Sequence, residues 1–580
     1  MKVRLARTAG FCMGVRRAME LVLSASHQAE RPIFTYGPLI HNPQVLGLLE
    51  DKGIQTLQEL PPSDSVKGGT IIIRAHGIPP QDKRRLKQAG FGKVVDGTCP
   101  RVVRVQAIIR RAAKEGRHVV IVGDAAHAEV VGLQGHAAER GHVVSQAGEV
   151  ADLPELDRVV VVAQTTQNES VFSEVVTALE ERFGQVEVHD TICEATHRRQ
   201  QEVQRLAQES DGVVVVGGKA SGNTKRLAEV AAQVGKPVFL VETKSELDRA
   251  GIAKLGSVAV TAGASTPNWV IKRLLRELGS IRSIKEGGIR FWLRRSFRFL
   301  VLSQLMVALG AAGMALASML LQGIKPAWNL AAVAFCYIFA MHILNQFLDK
   351  EAGQYNDPDR AHFLSKHRAF LISAGVAAAS AAVVLCALLG ALPFALVGVM
   401  SVLGLLYSVP VVPRRLEKKI GIQRLKDIPG SKTLAASLAW AFIVAVLPAA
   451  ALGSASLPGL VLAFAYTLVL VFLRCALFDV LDVQGDLIVG KETIPIVLGE
   501  AKTRRLLWWL TWGLCGALAL AALVSAVPGL AWWLLLPVLG MAAMQLLWAR
   551  SWITPGSISE GLVDLNFWLA GAVALVWMAL

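Results

Sequence analysis

The second half of the chain carries a series of long, almost uncharged apolar stretches, and these limit its possible folds more than any other feature. A helix needs about 20 apolar residues to cross a bilayer. Stretches of roughly that length lie at 299–321, 328–348, 369–388, 391–411, 434–452, 457–478, 506–527, 530–549 and 563–580. Because only helices and closed barrels satisfy their backbone within lipid, the sequence predicts an all-α polytopic membrane domain of about nine transmembrane helices over residues 299–580.

The loops between these stretches alternate in length and charge. Three long loops, 349–368, 412–433 and 479–505, hold most of the lysines and arginines of this half. By the positive-inside rule, they lie in the cytoplasm. We therefore expect a multi-pass protein of the cytoplasmic (inner) membrane, with the N-terminal region on the cytoplasmic side. Because the basic clusters lie between apolar stretches, the formal net charge of +15 predicts no nucleic-acid partner.

The first 279 residues follow a different pattern, in which short β-branched runs alternate with amphipathic helices. This alternation is typical of parallel α/β layers. The clearest buried strands are predicted at Thr70–Arg74, His118–Val122, Arg158–Ala163, Gly212–Val216 and Ser257–Thr261. Most of these strands run into Gly, His, Ser or Thr, and ligand-binding residues usually lie at such carboxyl ends.

A basic segment over residues 281–298 connects the two regions. It contains Phe291 and Trp292 among arginines, and this composition favours an amphipathic helix that lies on the membrane surface. The chain is thus expected to contain an α/β domain (1–280), a basic amphipathic linker (281–298) and a membrane domain (299–580).

Three cysteines, Cys12, Cys99 and Cys193, lie in the α/β region. They are separated by nearly equal intervals, which hints at three similar lobes that each contribute one cysteine. Cytoplasmic thiols stay reduced, so a metal site suits them better than disulfides. Three thiolates could hold an iron-sulfur cluster and leave one iron open to an exogenous oxygen. Three ordinary buried cysteines are the alternative, because none forms a CxxC pair.

Three histidines also follow predicted strands or turns, each close to Gly or Pro: His41, His76 and His127. Loops at strand ends can converge, and three histidines in such loops favour an anion pocket. The strand Val213–Gly218 leads into Lys219–Thr224, a loop of small residues before a helix whose amides and hydroxyls could hold a phosphate. Separate structural roles for the histidines are the alternative.

Together these segments resemble the LytB/IspH family of 4-hydroxy-3-methylbut-2-enyl diphosphate reductases over nearly all of residues 1–279. The motifs, in order, are GFCMGVRRA, YGPLIHNPQV, RAHGI, VDGTCPRV, HAEVVGLQGH, AQTTQ, DTICEATHRRQ, GGKASGNTKRL and TAGAST. The resemblance implies a [4Fe-4S] cluster on Cys12, Cys99 and Cys193. It also implies reduction of that allylic diphosphate to isopentenyl and dimethylallyl diphosphate in the non-mevalonate isoprenoid route. A ferredoxin or flavodoxin-type protein would donate the electrons.

The same resemblance implies roles for the pocket residues. Those that bind the diphosphate would be His41, His76, His127, Ser221, Gly222, Asn223 and Ser265. Glu129 and Thr165, with His127 beside them, would deliver the proton that lets the hydroxyl leave as water. A buried carboxyl can hold a proton near neutral pH because desolvation raises its pKa. Gly222 stands where the family often has a second serine. The alternatives are a surface position for Glu129 and an iron-sulfur electron carrier without substrate turnover.

Two polar clusters lie where the apolar stretches meet the long loops. The residues that follow the second stretch are Asn345, Asp349, Asn356, Asp357 and Asp359, and those that follow the sixth are Asp479, Asp482 and Asp486. Carboxylates at a membrane boundary are costly unless they hold cations. Groups three or four residues apart on a helix face one way and can bind Mg2+. Solvated cytoplasmic loops are the alternative.

With these clusters, Leu406-Tyr-Ser408 and Gly490-Lys-Glu-Thr493, residues 297–580 resemble the UbiA superfamily of intramembrane prenyltransferases. The resemblance implies Mg2+-assisted ionisation of a prenyl diphosphate and transfer of the chain to a lipophilic acceptor within the lipid bilayer. The first cluster departs from the family pattern, since Gln346 and Gly353 stand where Asp is common. The sequence thus predicts a bifunctional enzyme, and an active reductase on an inactive, prenyl-lipid-binding membrane anchor is the alternative.

Overall fold

The structure is a computed structural model. It describes residues 2–28, 31–60, 62, 66, 68–281, 289–348, 356–408, 425, 428, 430–489, 493–549 and 556–580. The chain divides into two compact units, Met1–Glu286 and Gly287–Leu580, and each is described by itself.

The N-terminal unit alternates short strands and helices along the chain. The strands are β1 (Lys2–Leu5), β2 (Ile33–Tyr36), β3 (Ile54–Leu57), β4 (Thr70–Ile73), β5 (Lys93–Asp96), β6 (His118–Val122), β7 (Gly141–Val144), β8 (Val159–Ala163), β9 (Glu187–His189), β10 (Gly212–Val216), β11 (Val238–Val241) and β12 (Ser257–Ala262). The helices are α1 (Met13–Gln28), α2 (Pro43–Asp51), α3 (Pro80–Gln88), α4 (Pro100–Lys114), α5 (Ala128–Ala137), α6 (Glu169–Phe183), α7 (Glu194–Gln208), α8 (Gly222–Ala232), α9 (Arg249–Ala253) and α10 (Asn268–Ser280).

These strands form three four-stranded sheets, with the orders β1-β12-β10-β11, β3-β2-β4-β5 and β7-β6-β8-β9. All of the pairings are parallel. Four of the central strands, β4, β6, β8 and β10, consist mainly of valine or isoleucine and are buried on both faces, as expected when helices cover both sides of a parallel sheet. The five strands predicted from the sequence are confirmed, with ends that differ by at most one residue.

One connection recurs in all three sheets. An edge strand (β1, β5 or β9) is followed by a cysteine, and the cysteine directly precedes a helix (α1, α4 or α7). The three cysteines are Cys12, Cys99 and Cys193. The three sheets therefore correspond to the three lobes that the cysteine spacing predicts.

The regular secondary structure of the C-terminal unit is all helical within its described residues. Its helices are Ile289–Leu302, Leu305–Leu321, Trp328–Leu348, Pro358–Lys366, Arg368–Leu389, Ala391–Ser408, Ser431–Ala441, Leu447–Leu452, Leu457–Val489, Ile494–Leu498, Glu500–Leu523, Leu530–Trp533, Leu535–Ala549 and Ser557–Ala579, with a π-helical turn at Phe442–Val446. One continuous apolar core joins most of them.

All nine stretches predicted to span the membrane contain helix. Within the described ranges, seven helices are long and apolar enough to cross a membrane. The first stretch is instead a pair of helices, Arg295–Leu302 and Leu305–Leu321, bent by 72°, and Gln304 at the bend has a left-handed backbone with φ of 65°. The fourth, Ala391–Tyr407, is shorter. The count by length is thus seven, or eight if the bent pair is one span.

The predicted linker is only partly described, since residues 282–288 lie outside the described ranges. From Ile289 the chain is helical. Trp292 and Leu293 on this helix are each 62% exposed. Large apolar side chains are thus exposed beside arginines, as a surface-lying helix requires.

Candidate functional site

The residues predicted to form the pocket follow the two central strands of each sheet in the N-terminal unit. They are His41 after β2, His76 after β4, His127 and Glu129 after β6, Thr165 after β8, Ser221 and Asn223 after β10, and Ser265 after β12. Parallel strands place their carboxyl ends along one edge of a sheet. The topology therefore gives each sheet one ligand-binding edge.

Direct contacts join the loops of the three sheets. The rings of His41 and His76 have centroids 4.8 Å apart, and His127 lies 5.6 Å from the first and 5.4 Å from the second. The Ser265 hydroxyl lies 3.2 Å from the carbonyl oxygen of His41 and 3.3 Å from the Ser221 hydroxyl. The structure thus brings these five predicted residues into one pocket.

The pKa values of all three histidines in this pocket are lowered, which favours their neutral form. Burial lowers the pKa of His41, and the Arg74 guanidinium lowers it further. Burial also lowers the pKa of His76, and the other two histidines and Arg74 add to this shift. The pKa of His127 falls to about 4, mainly through burial and then through His41. A negatively charged ligand would raise the pKa values of the histidines and so oppose the effect of the neighbouring positive charges.

Several buried polar atoms of the pocket have no hydrogen-bond partner among the described residues. These atoms are His41 Nε2, His76 Nδ1 and Asn223 Nδ2. The His127 Nδ1 atom accepts a hydrogen bond from the Glu129 amide at 3.1 Å, which leaves the proton on Nε2 as a further donor. Unpaired buried donors are costly, so this set fits a ligand with many acceptor oxygens. The three rings are also close enough together to hold a metal ion.

Asn223 and Gly222 begin α8, and Ser221 is the residue before it. The helix has 11 residues, and the amides of its first turn add a positive field to the pocket. A Cβ atom at Gly222 would lie 3.6 Å from His127 Nε2, which is an ordinary contact distance. This loop therefore lies against the histidines, with room for a side chain.

Glu129 lies beside this pocket and is only 2% exposed. It accepts hydrogen bonds from the backbone N–H of Thr165 at 2.7 Å and from the Thr165 hydroxyl at 2.8 Å. Burial raises the pKa of Glu129, and the two bonds from Thr165 lower it in part. A surface position for Glu129 is therefore wrong. Burial favours the protonated form of its carboxyl group, and the bonds from Thr165 favour the carboxylate.

The backbone of each cysteine is tied to a pocket loop by one hydrogen bond. The N–H of Cys12 donates to Ala264, beside Ser265, at 3.2 Å. The N–H of Cys99 donates to Ala75, beside His76, and the N–H of Cys193 donates to Thr165, both at 2.9 Å. The amide of each cysteine is thus bonded to Thr165 itself or to the residue directly before Ser265 or His76.

The three thiols lie in each other's electric field. Burial raises the pKa of Cys99, N–H groups of Arg101 and Val102 lower it, and the charges of Cys12 and Cys193 raise it further. A helix begins directly after each cysteine, and the positive end of a helix stabilises a thiolate. Three thiolates at converging helix ends match the donor set of an iron-sulfur cluster.

Close approach at Gly14 supports this fit. A Cβ atom at Gly14 would lie 2.4 Å from the Cys99 sulfur, so glycine lets α1 approach the second cysteine. The absence of a side chain at Gly14 thus helps to define the space around the Cys99 thiol.

Arg199 is a functional candidate that the sequence analysis missed. It is 5% exposed, and its guanidinium donates to the carbonyl oxygen of Gly10 at 2.8 Å. Its charge acts on both Cys12 and Cys193, while its Nε atom has no hydrogen-bond partner in the described part of the chain. A buried cation with a spare donor fits a centre that carries negative charge. Its signal in the sequence is helical phase, since it shares the buried face of α7 with Thr196.

In the C-terminal unit, the three predicted aspartates lie on the helix Leu457–Val489. Asp479 is buried and accepts a hydrogen bond from the Thr433 hydroxyl at 2.5 Å. Asp486 is buried and accepts from the side-chain amide of Asn356 at 2.9 Å. Asp482 is half-buried between them. Spacings of three and four residues place these carboxylates on one face of the helix, next to a residue that follows the second apolar stretch.

The first polar cluster is less complete in the structure. Asn345 is exposed on the last turn of the helix Trp328–Leu348, and Asp349 lies outside the described residues. Asp357 and Asp359 form ion pairs with Arg360 and with Arg298. A further ion pair, Arg474 with Asp564, is buried between two long helices at 2.5 Å.

Comparison with known proteins yields two family matches. Residues 3–279 match the model of the family described as LytB protein, and residues 305–570 match the UbiA prenyltransferase family. The 4-hydroxy-3-methylbut-2-enyl diphosphate reductase of Trichlorobacter lovleyi is 40% identical over 283 residues, which cover 49% of this chain and 99% of that protein.

Each half of the chain aligns with a solved structure. The E-1-hydroxy-2-methyl-but-2-enyl-4-diphosphate reductase of Plasmodium falciparum aligns with a TM-score of 0.46 and 29% identity, over 47% of this chain and 87% of that one. A UbiA homolog from Archaeoglobus fulgidus bound to GPP and Mg2+ aligns with a TM-score of 0.36 and 13% identity, over 49% of this chain and 100% of that one.

Proposed function

The chain belongs to the LytB protein family through residues 3–279, and on that premise we propose that its N-terminal unit reduces 4-hydroxy-3-methylbut-2-enyl diphosphate to isopentenyl and dimethylallyl diphosphate. The observation that carries this proposal is the convergence of loops from three sheets. They bring buried, unpaired donors next to three thiols at helix ends. An electron carrier without substrate turnover would not need such donors.

The diphosphate binds to the loops after the central strands. His41, His76 and Asn223 use the donors that lack a partner in the described chain. Ser221, directly before α8, and Ser265, after β12, add hydroxyl groups. Hydrogen bonds to a charged acceptor are the stronger kind. Because the ligand is anionic, it also raises the pKa values of the histidines toward their ordinary range.

Cys12, Cys99 and Cys193 would hold a [4Fe-4S] cluster, and Arg199 would offset part of its negative charge. When bound there, such a cluster supplies electrons one at a time for cleavage of the allylic carbon–oxygen bond. Overall, the substrate takes up two electrons and two protons, loses its hydroxyl as water and gains a carbon–hydrogen bond.

Glu129 holds the proton that the departing hydroxyl takes. Because burial raises its pKa, the carboxyl can carry a proton near neutral pH. The two hydrogen bonds from Thr165 fix its orientation. His127 accepts from the amide of Glu129 and so connects the acid to the diphosphate site.

The test uses the full chain in detergent, purified without oxygen. We expect bound iron and sulfide, and turnover of 4-hydroxy-3-methylbut-2-enyl diphosphate with a reduced viologen as the electron source. Cys193→Ser should lose both the iron and the turnover. The matched control Cys336→Ser changes a cysteine of a membrane helix and should retain both. An intact cluster that yields no product would reject the reductase and favour the electron carrier.

For the C-terminal unit, a UbiA prenyltransferase family domain, we propose Mg2+-dependent transfer of a prenyl group to a lipophilic acceptor. The supporting observation is the hydrogen bond from Asn356 to Asp486, which brings a residue after the second stretch to the acidic face of the sixth. Asp479, Asp482 and Asp486, with Asn345 and Asp349, would hold Mg2+. Carboxylate and amide oxygens are its usual protein ligands, and the ion would neutralise the diphosphate of the prenyl donor.

The double variant Asp479→Ala with Asp486→Ala tests this second activity. Prenyl transfer should disappear, while reduction of the allylic diphosphate by the same preparation serves as an internal control and should persist. If wild-type protein and double variant behave alike in every prenyl-transfer assay, the membrane unit is an inactive anchor.

We also propose nine membrane spans, in which the bent pair and the shorter helix Ala391–Tyr407 join the seven longer helices. The protein would then lie in the cytoplasmic (inner) membrane with the reductase in the cytoplasm, because the positive-inside rule predicts that the long basic loops lie on that side. The domains would be 1–280 and 299–580, with 281–298 as an amphipathic linker. The boundary between the compact units, at Glu286 and Gly287, falls within that linker.

A further inference from the structure

Arg74 is a cation beside the polar pocket that the proposed chemistry leaves without a role. It directly follows β4 and stands two residues before His76. Burial is the main cause that lowers the pKa values of His41, His76 and His127, and the positive charge of Arg74 adds to the shift at all three. One side chain thus contributes positive charge to the whole group of histidines.

The Arg74 guanidinium lies between the loops that carry two of these histidines. Its Nε atom donates to the carbonyl oxygen of Gly77, beside His76, at 3.3 Å. A Cβ atom at Gly37, where the loop to His41 begins, would lie 2.6 Å from its Nη1 atom. The absence of a side chain at Gly37 therefore lets the guanidinium lie against both loops.

The charge of Arg74 is not cancelled by a direct ion pair. The side chain is half-buried, and burial lowers its pKa, whereas the charges of Tyr36 and Asp82 raise it in part. The Asp82 carboxylate accepts a hydrogen bond from the Tyr36 hydroxyl at 3.2 Å. In the part of the chain that the structure describes, no carboxylate oxygen lies within 4.0 Å of the Arg74 guanidinium. Its positive field therefore remains available to the pocket.

The other groups proposed to bind the diphosphate carry no full charge. The lowered pKa values of the histidines favour their neutral form, and Ser221, Asn223 and Ser265 are uncharged. The start of α8 adds only a partial positive charge. Because attraction to a fixed cation grows with the charge of the ligand, a full charge at Arg74 would favour the more highly charged of two phosphate ligands.

We propose that Arg74 is a positioning residue that joins the loops of His41 and His76 and supplies the fixed positive charge by which the pocket selects a diphosphate over a monophosphate. The inference rests on the proposed reductase function, whose substrate carries a diphosphate. Arg74 acts through its contacts with the two loops and through its field, and no covalent step depends on it.

The binding test compares Arg74→Gln with Arg74→Lys in the full chain, purified without oxygen and with its iron bound. Inorganic pyrophosphate and inorganic phosphate are the probes, and calorimetry measures the Kd of each. In Arg74→Gln, the Kd for pyrophosphate should rise at least about fivefold, and the Kd for phosphate should rise by less. Arg74→Lys keeps the charge but not the planar fork, and should bind pyrophosphate at least about threefold more tightly than Arg74→Gln.

Turnover with reduced viologen gives a second readout. The diphosphate is bound in both the substrate complex and the transition state, so loss of the Arg74 charge should raise KM and leave kcat within about twofold. The matched control Arg84→Gln removes an exposed arginine of α3 and the same charge from the protein as a whole. It should leave KM and both Kd values unchanged.

A change of opposite sign separates the charge of Arg74 from a merely structural role. Asp82→Asn removes a negative charge that acts on Arg74, while the amide oxygen can still accept from the Tyr36 hydroxyl. The Kd for pyrophosphate should then fall by roughly twofold. Damage to the loops would instead raise it, so this variant also decides the question if Arg74→Gln does not fold.

Several results would overturn the role of Arg74. They are an unchanged Kd for pyrophosphate in Arg74→Gln, equal losses for pyrophosphate and phosphate, equal binding by the Lys and Gln variants, and an unchanged or higher Kd in Asp82→Asn. Failure of the reductase is separable from these results. If the wild-type protein holds iron and binds pyrophosphate but does not turn over with viologen, the proposed reductase is wrong, and the pyrophosphate measurements still test Arg74.

Discussion

The hydrogen bond from the Thr165 hydroxyl to Glu129 should set the pH range of the reductase. The carboxyl is 2% exposed, and Thr165 donates to it from both its backbone N–H and its hydroxyl. These bonds stabilise the carboxylate and so lower a pKa that burial raises. Thr165→Val removes the hydroxyl bond alone, keeps the backbone bond and nearly conserves the side-chain shape.

A hydrogen bond to a charged group contributes about 1.5–3 kcal/mol, and one pKa unit corresponds to about 1.4 kcal/mol. The pKa of Glu129 should therefore rise by roughly one to two units in the variant. An acid catalyst works in its protonated form, so activity falls as pH rises through this pKa. The alkaline limb of the profile should move to higher pH by the same amount.

The measurement is kcat/KM with reduced viologen between about pH 5 and pH 9. Thr177→Val, an exposed threonine on α6, is the control and should leave the profile in place. Glu129→Gln cannot release the proton and should lower kcat by roughly 10² to 10⁴. An alkaline limb that stays fixed in Thr165→Val, or moves to lower pH, would refute the assignment of Glu129 as the acid.

Three further substitutions test other parts of the molecule. Gly14→Ala should lower the iron content of the purified protein, measured colorimetrically, since the new Cβ would lie 2.4 Å from the Cys99 sulfur; full iron loading would contradict the close approach. Gly222→Ser adds a hydroxyl where there is room for it and should lower the substrate KM by roughly tenfold, the value of one hydrogen bond to a charged group; an unchanged KM would argue that this loop does not bind the diphosphate. Asp564→Asn leaves the buried Arg474 charge without its counter-ion and should destabilise the membrane unit by about 3–5 kcal/mol, seen as a lower thermal unfolding temperature in detergent, whereas an unchanged temperature would mean that the pair contributes little.

Much of the N-terminal fold can be predicted from the sequence, because the residues of its strands fit no other type of secondary structure. A run such as Gly212–Val216 is β-branched along its length and buried on both faces, so neither an amphipathic helix nor an edge strand fits it. Its position in turn places the polar loop that follows. The three histidine loops and the loop that contains Ser221 were predictable for this reason, since parallel strands place their following loops at the same edge, whereas Ser265 came only from the family resemblance.

Arg199 illustrates the limit of prediction from the sequence. It follows Arg198, and the two residues have the same chemistry, yet one is exposed and the other is buried. The two residues differ only in the side of α7 on which they lie: Arg199 is on the buried side and Arg198 is on the exposed side. The contact of Asn356 with Asp486 was equally hidden, because it depends on how helices distant in sequence pack together. The 72° bend of the first membrane stretch was also missed, since apolar residues continue on both sides of Gln304.

The hydrogen bonds from the cysteine amides would couple the proposed cluster to the proposed diphosphate pocket. A thiol that moves when the cluster is lost would displace the strand-end loop that accepts its amide hydrogen bond. Thermodynamic reciprocity then requires that an occupied pocket hold the thiols in place. A high substrate concentration in the cell would therefore slow loss of the proposed cluster in the presence of oxygen, and a low concentration would speed it.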